Sequence, residues 1–207
     1  IIAKKTINYL LQINAIKLKT KNPFTWASGI KSPIYCDNRL ILSNIEIRDY
    51  IANQMANIIS KSFSDNYIIA GVATGAIAIG ALVAERLKRP YIYVRPNPKA
   101  HGLKNQIEGS LPSGSNVIVI EDLISTGMSS LNAVNAIKGE SSSVDAMLSI
   151  FSYSFDFADD RFKSEKINLI SLADYNVLVE IVKEQEIISH DEIEKLQRWR
   201  EDPEDWM

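Results

Sequence analysis

From residue 67 onward, short apolar runs alternate with segments whose apolar residues recur at helical spacing. Strands that alternate with helices favour a mostly parallel sheet with helices covering both of its faces. The chain is therefore predicted to be an α/β protein. The predicted strands are 67–72, 91–95, 116–120, 144–151 and 167–171, and the predicted helices in this part are 76–88, 129–138, 174–185 and 191–200.

The first third of the chain has a different pattern. Apolar residues including Ile7 and Leu10 recur at helical spacing and predict an amphipathic helix at the start. Residues 21–42 contain prolines and a glycine and are expected to form loops or short strands, and 44–63 is predicted to be a second helix.

Charge and cysteine content exclude several classes of function. The 23 basic residues nearly balance the 25 acidic residues, so no overall field attracts nucleic acid or an anionic membrane. The single cysteine, Cys36, excludes an intrachain disulfide and a cysteine-based zinc site, and it fits a reducing cytosol. Residues 67–84 carry no charge, but their glycines divide them into a strand and a helix, so we expect no membrane span.

The segment 117–129 (Val-Ile-Val-Ile-Glu-Asp-Leu-Ile-Ser-Thr-Gly-Met-Ser) combines a predicted buried strand, two carboxylates at its end and a turn into a helix. Ligands of open α/β sheets bind beyond the carboxyl ends of strands, and a helix N-terminus attracts phosphate. Gly127 allows close approach of the backbone, while Glu121 and Asp122 could accept hydrogen bonds from a sugar diol or hold Mg²⁺ through water. Ser125, Thr126 and Ser129 add hydroxyl donors. The combination suits a ribose 5-phosphate.

The segment has two other interpretations. It could be an ordinary capped turn with solvated acids, or the acidic strand end of a nucleotide hydrolase. The second alternative fails because no Gly-x-x-x-x-Gly-Lys-Ser/Thr motif precedes the segment, and the absence of Gly-x-Gly-x-x-Gly argues against dinucleotide binding. The sequence therefore favours a phosphate site.

Three segments resemble those of a known family. Residues 117–129 resemble the motif by which type I phosphoribosyltransferases bind phosphoribosyl pyrophosphate (PRPP): an apolar strand, two acids, two residues and Ser/Thr-Thr-Gly. Residues 24–39 (Phe-Thr-Trp-Ala-Ser-Gly-Ile-Lys-Ser-Pro-Ile-Tyr-Cys-Asp-Asn-Arg) look like the N-terminal signature of orotate phosphoribosyltransferases. Residues 196–206 (Leu-Gln-Arg-Trp-Arg-Glu-Asp-Pro-Glu-Asp-Trp) are similar to the tail of the Gram-positive-like branch of that family.

The resemblance implies the type I phosphoribosyltransferase fold, with a mostly parallel central sheet flanked by helices and a small N-terminal hood over the base. One domain would span 1–207, with the first helix and hood up to about residue 45 and the core from about 46. Ser125, Lys31 and Tyr35 would contact orotate, and the turn 71–75 would contact pyrophosphate. The residues that would bind PRPP in the motif are Glu121, Asp122, Leu123, Ile124, Ser125, Thr126, Gly127, Met128 and Ser129.

A cationic loop follows the second strand of the predicted sheet. Prolines and glycines between 96 and 109 predict a lid without regular structure, and a closing cationic lid can neutralise a departing pyrophosphate. In the resembled family, the loop's Arg, Lys and His meet the pyrophosphate, which here implies Arg95, Lys99 and His101. The catalytic residues would be Lys99, His101 and Asp122. The family's loop crosses to the other subunit, which implies a homodimer.

Some positions depart from the family pattern. Many members have Lys where this chain has Ala27, Gly75 and Pro96, and a base-contacting Arg of the enteric-like branch is replaced by Tyr153. The Gly-Gly often found in the PRPP motif is Gly-Met here, with Met128 second. These departures concern orotate contacts more than the PRPP site.

The implied activity is transfer of ribose 5-phosphate from PRPP to orotate in pyrimidine biosynthesis, in the cytoplasm, with Mg²⁺ held through PRPP and water and no direct protein ligand. Nucleic acid and membrane are not expected partners. Two alternatives stay open: a phosphoribosyltransferase for another base, and a non-catalytic PRPP-sensing regulator with the same fold.

Overall fold

The computed structural model describes residues 1–26, 29–64, 66–97, 105–203 and 205–206. The helices in these ranges are α1 Ile2–Gln12, α2 Ile45–Ser62, α3 Ile77–Leu87, α4 Met128–Gly139, α5 Asp156–Ser164, α6 Tyr175–Glu184 and α7 His190–Glu201, with a 3₁₀ helix at Asn38–Ser43. The strands are β1 Ile16–Leu18, β2 Phe24–Thr25, β3 Lys31–Ser32, β4 Ile34–Cys36, β5 Ile68–Val72, β6 Tyr91–Val94, β7 Ile107–Glu108, β8 Asn116–Ile124, β9 Ser143–Ser152 and β10 Asn168–Asp174.

A six-stranded sheet forms the centre of the molecule, in the order β10-β9-β8-β5-β6-β7. Every neighbouring pair is parallel except β6 with β7, which is antiparallel. The predicted parallel sheet is confirmed. The order reverses around β5 and β8, and ligands of such sheets bind in the crevice at a reversal of this kind.

Both faces of the sheet are covered, and β8 shows how the sequence produces this. Val117 and Val119 pack into one hydrophobic core with residues of α4, whereas Ile118 and Ile120 pack into the other with residues of α2 and α3. Because both faces of the strand are buried, its sequence is a continuous β-branched run and does not alternate with polar residues.

Two small hairpin sheets precede the core, one made of β1 with β4 and the other of β2 with β3. We call residues 16–43 of the described chain the hood. The side chain of Asn38, which is buried, donates from Nδ2 to the carbonyl oxygen of Asp122 at 2.6 Å. This hydrogen bond ties the hood to β8 across 84 residues of sequence.

Several local predictions are confirmed. The uncharged stretch 67–84 divides into β5 and α3, and none of the helices in the described ranges has the length and apolar character needed to cross a membrane. The Ser-x-x-Glu pattern at the start of α7 forms a capping box, in which the Ser189 amide donates to Glu192 Oε2 at 3.1 Å.

Among the features that differ from the sequence predictions, three concern the surroundings of the site. β8 continues four residues beyond the predicted end at 120, because its pairing with β9 extends to Ile124 opposite Ser152 and takes both acids into the strand. β7 lies in the segment predicted to lack regular structure, where Glu108 pairs with Tyr93. Helix α5 was not predicted, since its buried residues are only Ala158 and Phe162 and its apolar pattern is correspondingly weak.

Candidate functional site

The turn between β8 and α4 is built to receive an anion. Gly127 is the N-cap residue of α4, with a left-handed φ of 76°, and a Cβ there would lie 3.0 Å from Cε2 of Phe162. Glycine is therefore favoured by the backbone, and any larger residue would press against the Phe162 ring. In the described part of the chain, no side chain caps this helix, so its first amide groups are available to a ligand.

The two adjacent carboxylates differ in their surroundings. Glu121 is 5% exposed, and its oxygens accept hydrogen bonds from the Asp122 amide at 3.0 Å and from Ser130 Oγ at 2.9 Å. Burial raises the pKa of Glu121 well above its usual range, and the neighbouring charge of Asp122 raises it further. Burial also raises the pKa of the less enclosed Asp122. Of the two, Asp122 is the carboxylate that a ligand can reach more easily.

The turn after β5 meets this acidic pair. A Cβ added to Gly75 would overlap the carboxylate of Asp122. The turn 71–75 and the segment 121–129 therefore lie against each other at the carboxyl ends of neighbouring strands. The structure brings together these two predicted phosphate-binding elements, and Gly75 is the residue that allows their close approach.

A cavity of about 380 Å³ opens between the hood and the core. Its volume lies in the range of small-molecule sites. Two of the predicted orotate residues, Tyr35 and Ser125, line it, while Lys31 points its Nζ at Thr25 Oγ1 at 2.8 Å. The lining residues are Thr25, Trp26, Tyr35, Cys36, Leu123, Ser125 and Tyr153.

Aromatic rings form the floor of this cavity. The ring of Tyr153 lies 5.0 Å from Trp26 and is stacked on Phe155 at 5.8 Å, with 8° between the planes. Trp199 from α7 closes the cluster at 5.7 Å from Tyr153. Where the enteric-like branch has an Arg, the buried Tyr153 thus gives the cavity an apolar, uncharged aromatic floor. Such a surface suits a planar ring.

The predicted pyrophosphate residues are only partly described. Arg95 follows β6, where its amide donates to Gln106 O at 2.8 Å and its Nη1 lies 3.4 Å from Glu108 Oε1. Since β5 separates β6 from β8, Arg95 lies about two strand spacings, roughly 10 Å, from the acidic pair. Lys99 and His101 lie outside the described residues.

Comparisons with known proteins agree with this geometry. A model of the phosphoribosyl transferase domain family matches residues 41–155. Orotate phosphoribosyltransferase of Porphyromonas gingivalis is 47% identical over 205 residues, which cover 99% of this chain and 98% of the relative. The chain belongs to the orotate phosphoribosyltransferase family. The family member of Bacillus pumilus is also 47% identical, over 98% of this chain and 97% of its own.

Two solved structures share the fold. Orotate phosphoribosyltransferase of Aeropyrum pernix superposes with a TM-score of 0.74 at 26% identity and covers 86% of this chain and 97% of its own. UMP synthase of Leishmania donovani gives a TM-score of 0.81 at 20% identity, covering 96% of this chain, which spans 42% of that longer protein. The type I phosphoribosyltransferase fold is confirmed.

The structure adds residues that the sequence analysis did not select. Ser130 fixes Glu121, Trp26 lines the cavity, and Arg161 of α5 donates from Nη1 to the carbonyl oxygen of Thr126 at 2.7 Å. Trp26 could have been found, because it lies within the N-terminal signature. Arg161 could not, because 35 residues separate it from the turn that it supports and α5 lacks a strong periodic signal.

Proposed function

We propose that this chain transfers ribose 5-phosphate from PRPP to a ring nitrogen of orotate, giving orotidine 5′-monophosphate and pyrophosphate in pyrimidine biosynthesis. The curated relatives that support this activity are 43–49% identical and carry the name orotate phosphoribosyltransferase. One observation carries the proposal. Ser125 belongs to the anion-binding turn and also lines the base-sized cavity, so a phosphoribosyl group and a planar base would meet there.

At the PRPP end, the uncapped start of α4 would hold the 5-phosphate through the amides of Met128 and Ser129, with the hydroxyls of Ser125 and Thr126 beside it. Asp122 would accept hydrogen bonds from the ribose hydroxyls. The oxygens of Glu121 accept hydrogen bonds from Ser130 Oγ and from the backbone amide of Asp122. Glu121 would therefore hold β8 and α4 in the relative position that lets Asp122 contact the ribose. The remaining motif residues, Leu123 and Ile124, are part of β8 and would contribute backbone contacts.

At the orotate end, the base would lie in the cavity between hood and core. Tyr35 and Trp26 offer ring faces to a planar ligand, and Ser125 offers a hydroxyl. Lys31 supplies a positive charge near Thr25 for the anionic ring. The protein's task here is to position a nucleophile that already exists on the base.

In the reaction, the bond between C1′ and the pyrophosphate oxygen breaks, and a bond between C1′ and the orotate nitrogen forms. Negative charge accumulates on the pyrophosphate, and Arg95, Lys99 and His101 would stabilise it. Phosphoribosyltransferases generally use Mg²⁺ with PRPP, and when bound it supplies Lewis-acid stabilisation of the leaving group. No group of three or more His, Cys, Asp and Glu side chains suited to a metal occurs among the described residues. The carboxylates of Asp122 and Glu121 would face a Mg²⁺ ion whose direct ligands are mainly PRPP and water.

The assembly and cellular location extend the same proposal. We infer a homodimer in which the segment after Arg95 completes the partner's site, as the family resemblance implies, and a cytoplasmic enzyme whose partners are PRPP and orotate. Sedimentation of the purified protein would test the dimer. Complementation between an Asp122→Asn chain and a Lys99→Ala chain in mixed dimers would test whether the two residues act in one shared site.

The decisive assay follows the ultraviolet absorbance of orotate after protein, Mg²⁺ and PRPP are mixed. We expect a PRPP-dependent change with orotate and none with uracil or a purine. A change only with another base would select a different phosphoribosyltransferase. PRPP binding without turnover of any base would select a non-catalytic regulator.

A pair of variants controls this assay. Asp122→Asn removes the carboxylate that we assign to the ribose and is expected to abolish most of the activity. Asp145→Asn makes the same chemical change at an exposed position near the amino end of β9, away from the site, and should leave the rate unchanged. Equal rates in the two variants would contradict the assignment of Asp122.

A further inference from the structure

The C-terminal tail holds the wall of the base cavity in place. The indole Nε1 of Trp199 donates to the carbonyl oxygen of Lys31 at 3.0 Å, and the Nε1 of Trp206 donates to the same oxygen at 2.9 Å. Both contacts span more than 160 residues of sequence. A carbonyl oxygen can accept two hydrogen bonds, and here both of its lone pairs are taken up by the tail.

The segment held by this carbonyl is weak by itself. β2 and β3 are two residues long each, and their pairing consists of Phe24 opposite Ser32 and Thr25 opposite Lys31. A two-stranded hairpin of that size is at best marginally stable in water. Its position therefore depends on contacts with the rest of the protein.

This hairpin carries one wall of the proposed orotate cavity. Thr25 and Trp26 line the cavity from this hairpin and Tyr35 and Cys36 line it from β4, while Leu123, Ser125 and Tyr153 line it from the core. On the side of Thr25 and Trp26, the width of the cavity is thus the distance between the central sheet and a small hairpin. The two indole groups fix that distance by joining the hairpin to α7 and the tail.

The two tryptophans do not serve the same purpose. Trp199 is fully buried within the aromatic cluster, 5.6 Å from Trp26 and 5.6 Å from Tyr175, so it also stabilises the core. Trp206 lies beyond the end of α7 and is only partly buried. Its N–H group can be removed with little loss of core packing.

We propose that Trp206 is a positioning residue for orotate, acting through the Lys31 carbonyl to set the hood wall of the cavity; this inference rests on the proposed function. Trp206→Phe keeps a ring and removes only the N–H donor. We expect KM for orotate to rise about fivefold, the factor that corresponds to one neutral hydrogen bond, with KM for PRPP and kcat nearly unchanged. Amide hydrogen exchange in β2 and β3 should become faster, while exchange in β8 stays the same.

Tyr175→Phe is the matched control. It removes a buried hydrogen bond of 2.9 Å from the Tyr175 hydroxyl to the Leu196 carbonyl on α7, without touching the hood. It should lower stability and leave KM for orotate and the exchange of β2 and β3 unchanged. If Trp206→Phe does not fold, a chain ending at Pro203 removes the same contact while keeping all of α7.

Unchanged exchange in β2 and β3 of Trp206→Phe would overturn the proposal, as would faster exchange with an unchanged KM for orotate. Equal increases of both KM values would also overturn it, since they indicate a general structural loss. Failure of the wild-type chain to use orotate would refute the proposed function instead, and the exchange comparison would still decide whether Trp206 holds the hairpin.

Discussion

Replacing Gly127 by alanine tests the geometry of the anion-binding turn. The alanine would have to adopt a φ of 76°, which costs an L residue about 1–2 kcal/mol. Its Cβ would also lie 3.0 Å from Cε2 of the buried Phe162, and overpacking a core adds about 1–3 kcal/mol. If the turn keeps its position, the free energy of unfolding should fall by about 2–5 kcal/mol.

The same strain can be relieved by a shift of the turn, which displaces the amides that we assign to the 5-phosphate. A misplacement of about 1 Å can cost a catalysed reaction about a hundredfold. Gly127→Ala should therefore lower kcat/KM for PRPP by about ten- to a hundredfold. Stability is measured by urea unfolding, and activity by the orotate absorbance assay.

Gly114→Ala separates the cost of the left-handed backbone from the cost of the contact with Phe162. Gly114 has a nearly equal φ of 78°, but nothing lies within 4 Å of its added Cβ, so this variant measures the backbone cost alone. It should lose about 1–2 kcal/mol of stability and keep wild-type kcat/KM. In the double variant Gly127→Ala/Phe162→Leu, the losses should be less than additive. A Gly127→Ala variant that is as stable as Gly114→Ala and has wild-type kcat/KM for PRPP would contradict the proposed contact and the anion-binding role of this turn.

Lys99→Ala should lower kcat far more than it raises KM for PRPP, because the lysine is assigned to leaving-group charge; steady-state kinetics with an unchanged kcat would contradict that role. Arg161→Met should raise KM for PRPP about tenfold through loss of the charged hydrogen bond to Thr126, with kcat affected less, whereas Arg161→Lys should recover part of the loss. Because burial raises the pKa values of Glu121 and Asp122, the native state holds more protons than the unfolded chain above the ordinary carboxyl pKa of about 4. The free energy of unfolding should then fall as pH rises from about 4 through the native pKa values. Urea unfolding at several pH values should show that the free energy of unfolding falls less steeply with pH in Asp122→Asn than in the wild type. Equal steepness in the two proteins would contradict the assignment of this pH dependence to the two carboxyl groups.

Local sequence signals were sufficient for much of the fold. The β-branched run at 117–120 predicts a strand buried on both faces, and Ser189 with Glu192 predicts the start of α7. The Ser-Thr-Gly turn indicates a helix N-terminus that can bind phosphate. These signals are legible because they depend on neighbours within a few residues, through side-chain periodicity, capping and backbone preference.

Predictions at the ends of elements were less accurate, because partners elsewhere decide those ends. β8 takes up Glu121 and Asp122 because β9 continues beside it, and α5 exists because the sheet and the anion-binding turn give Phe162 a place to pack. No periodic pattern in either segment reveals these partners.

The sequence alone determined the five parallel strands, the helices α1 to α4, α6 and α7, and the residue types that can bind a phosphoribosyl group. The tertiary structure decided that Ser125 joins that turn to a base-sized cavity, that Arg161 supports Thr126, and that the tail reaches the Lys31 carbonyl. These contacts join residues that are 35 to 175 positions apart. Their distances depend on how the whole chain packs, and residue spacing along one chain does not contain that information.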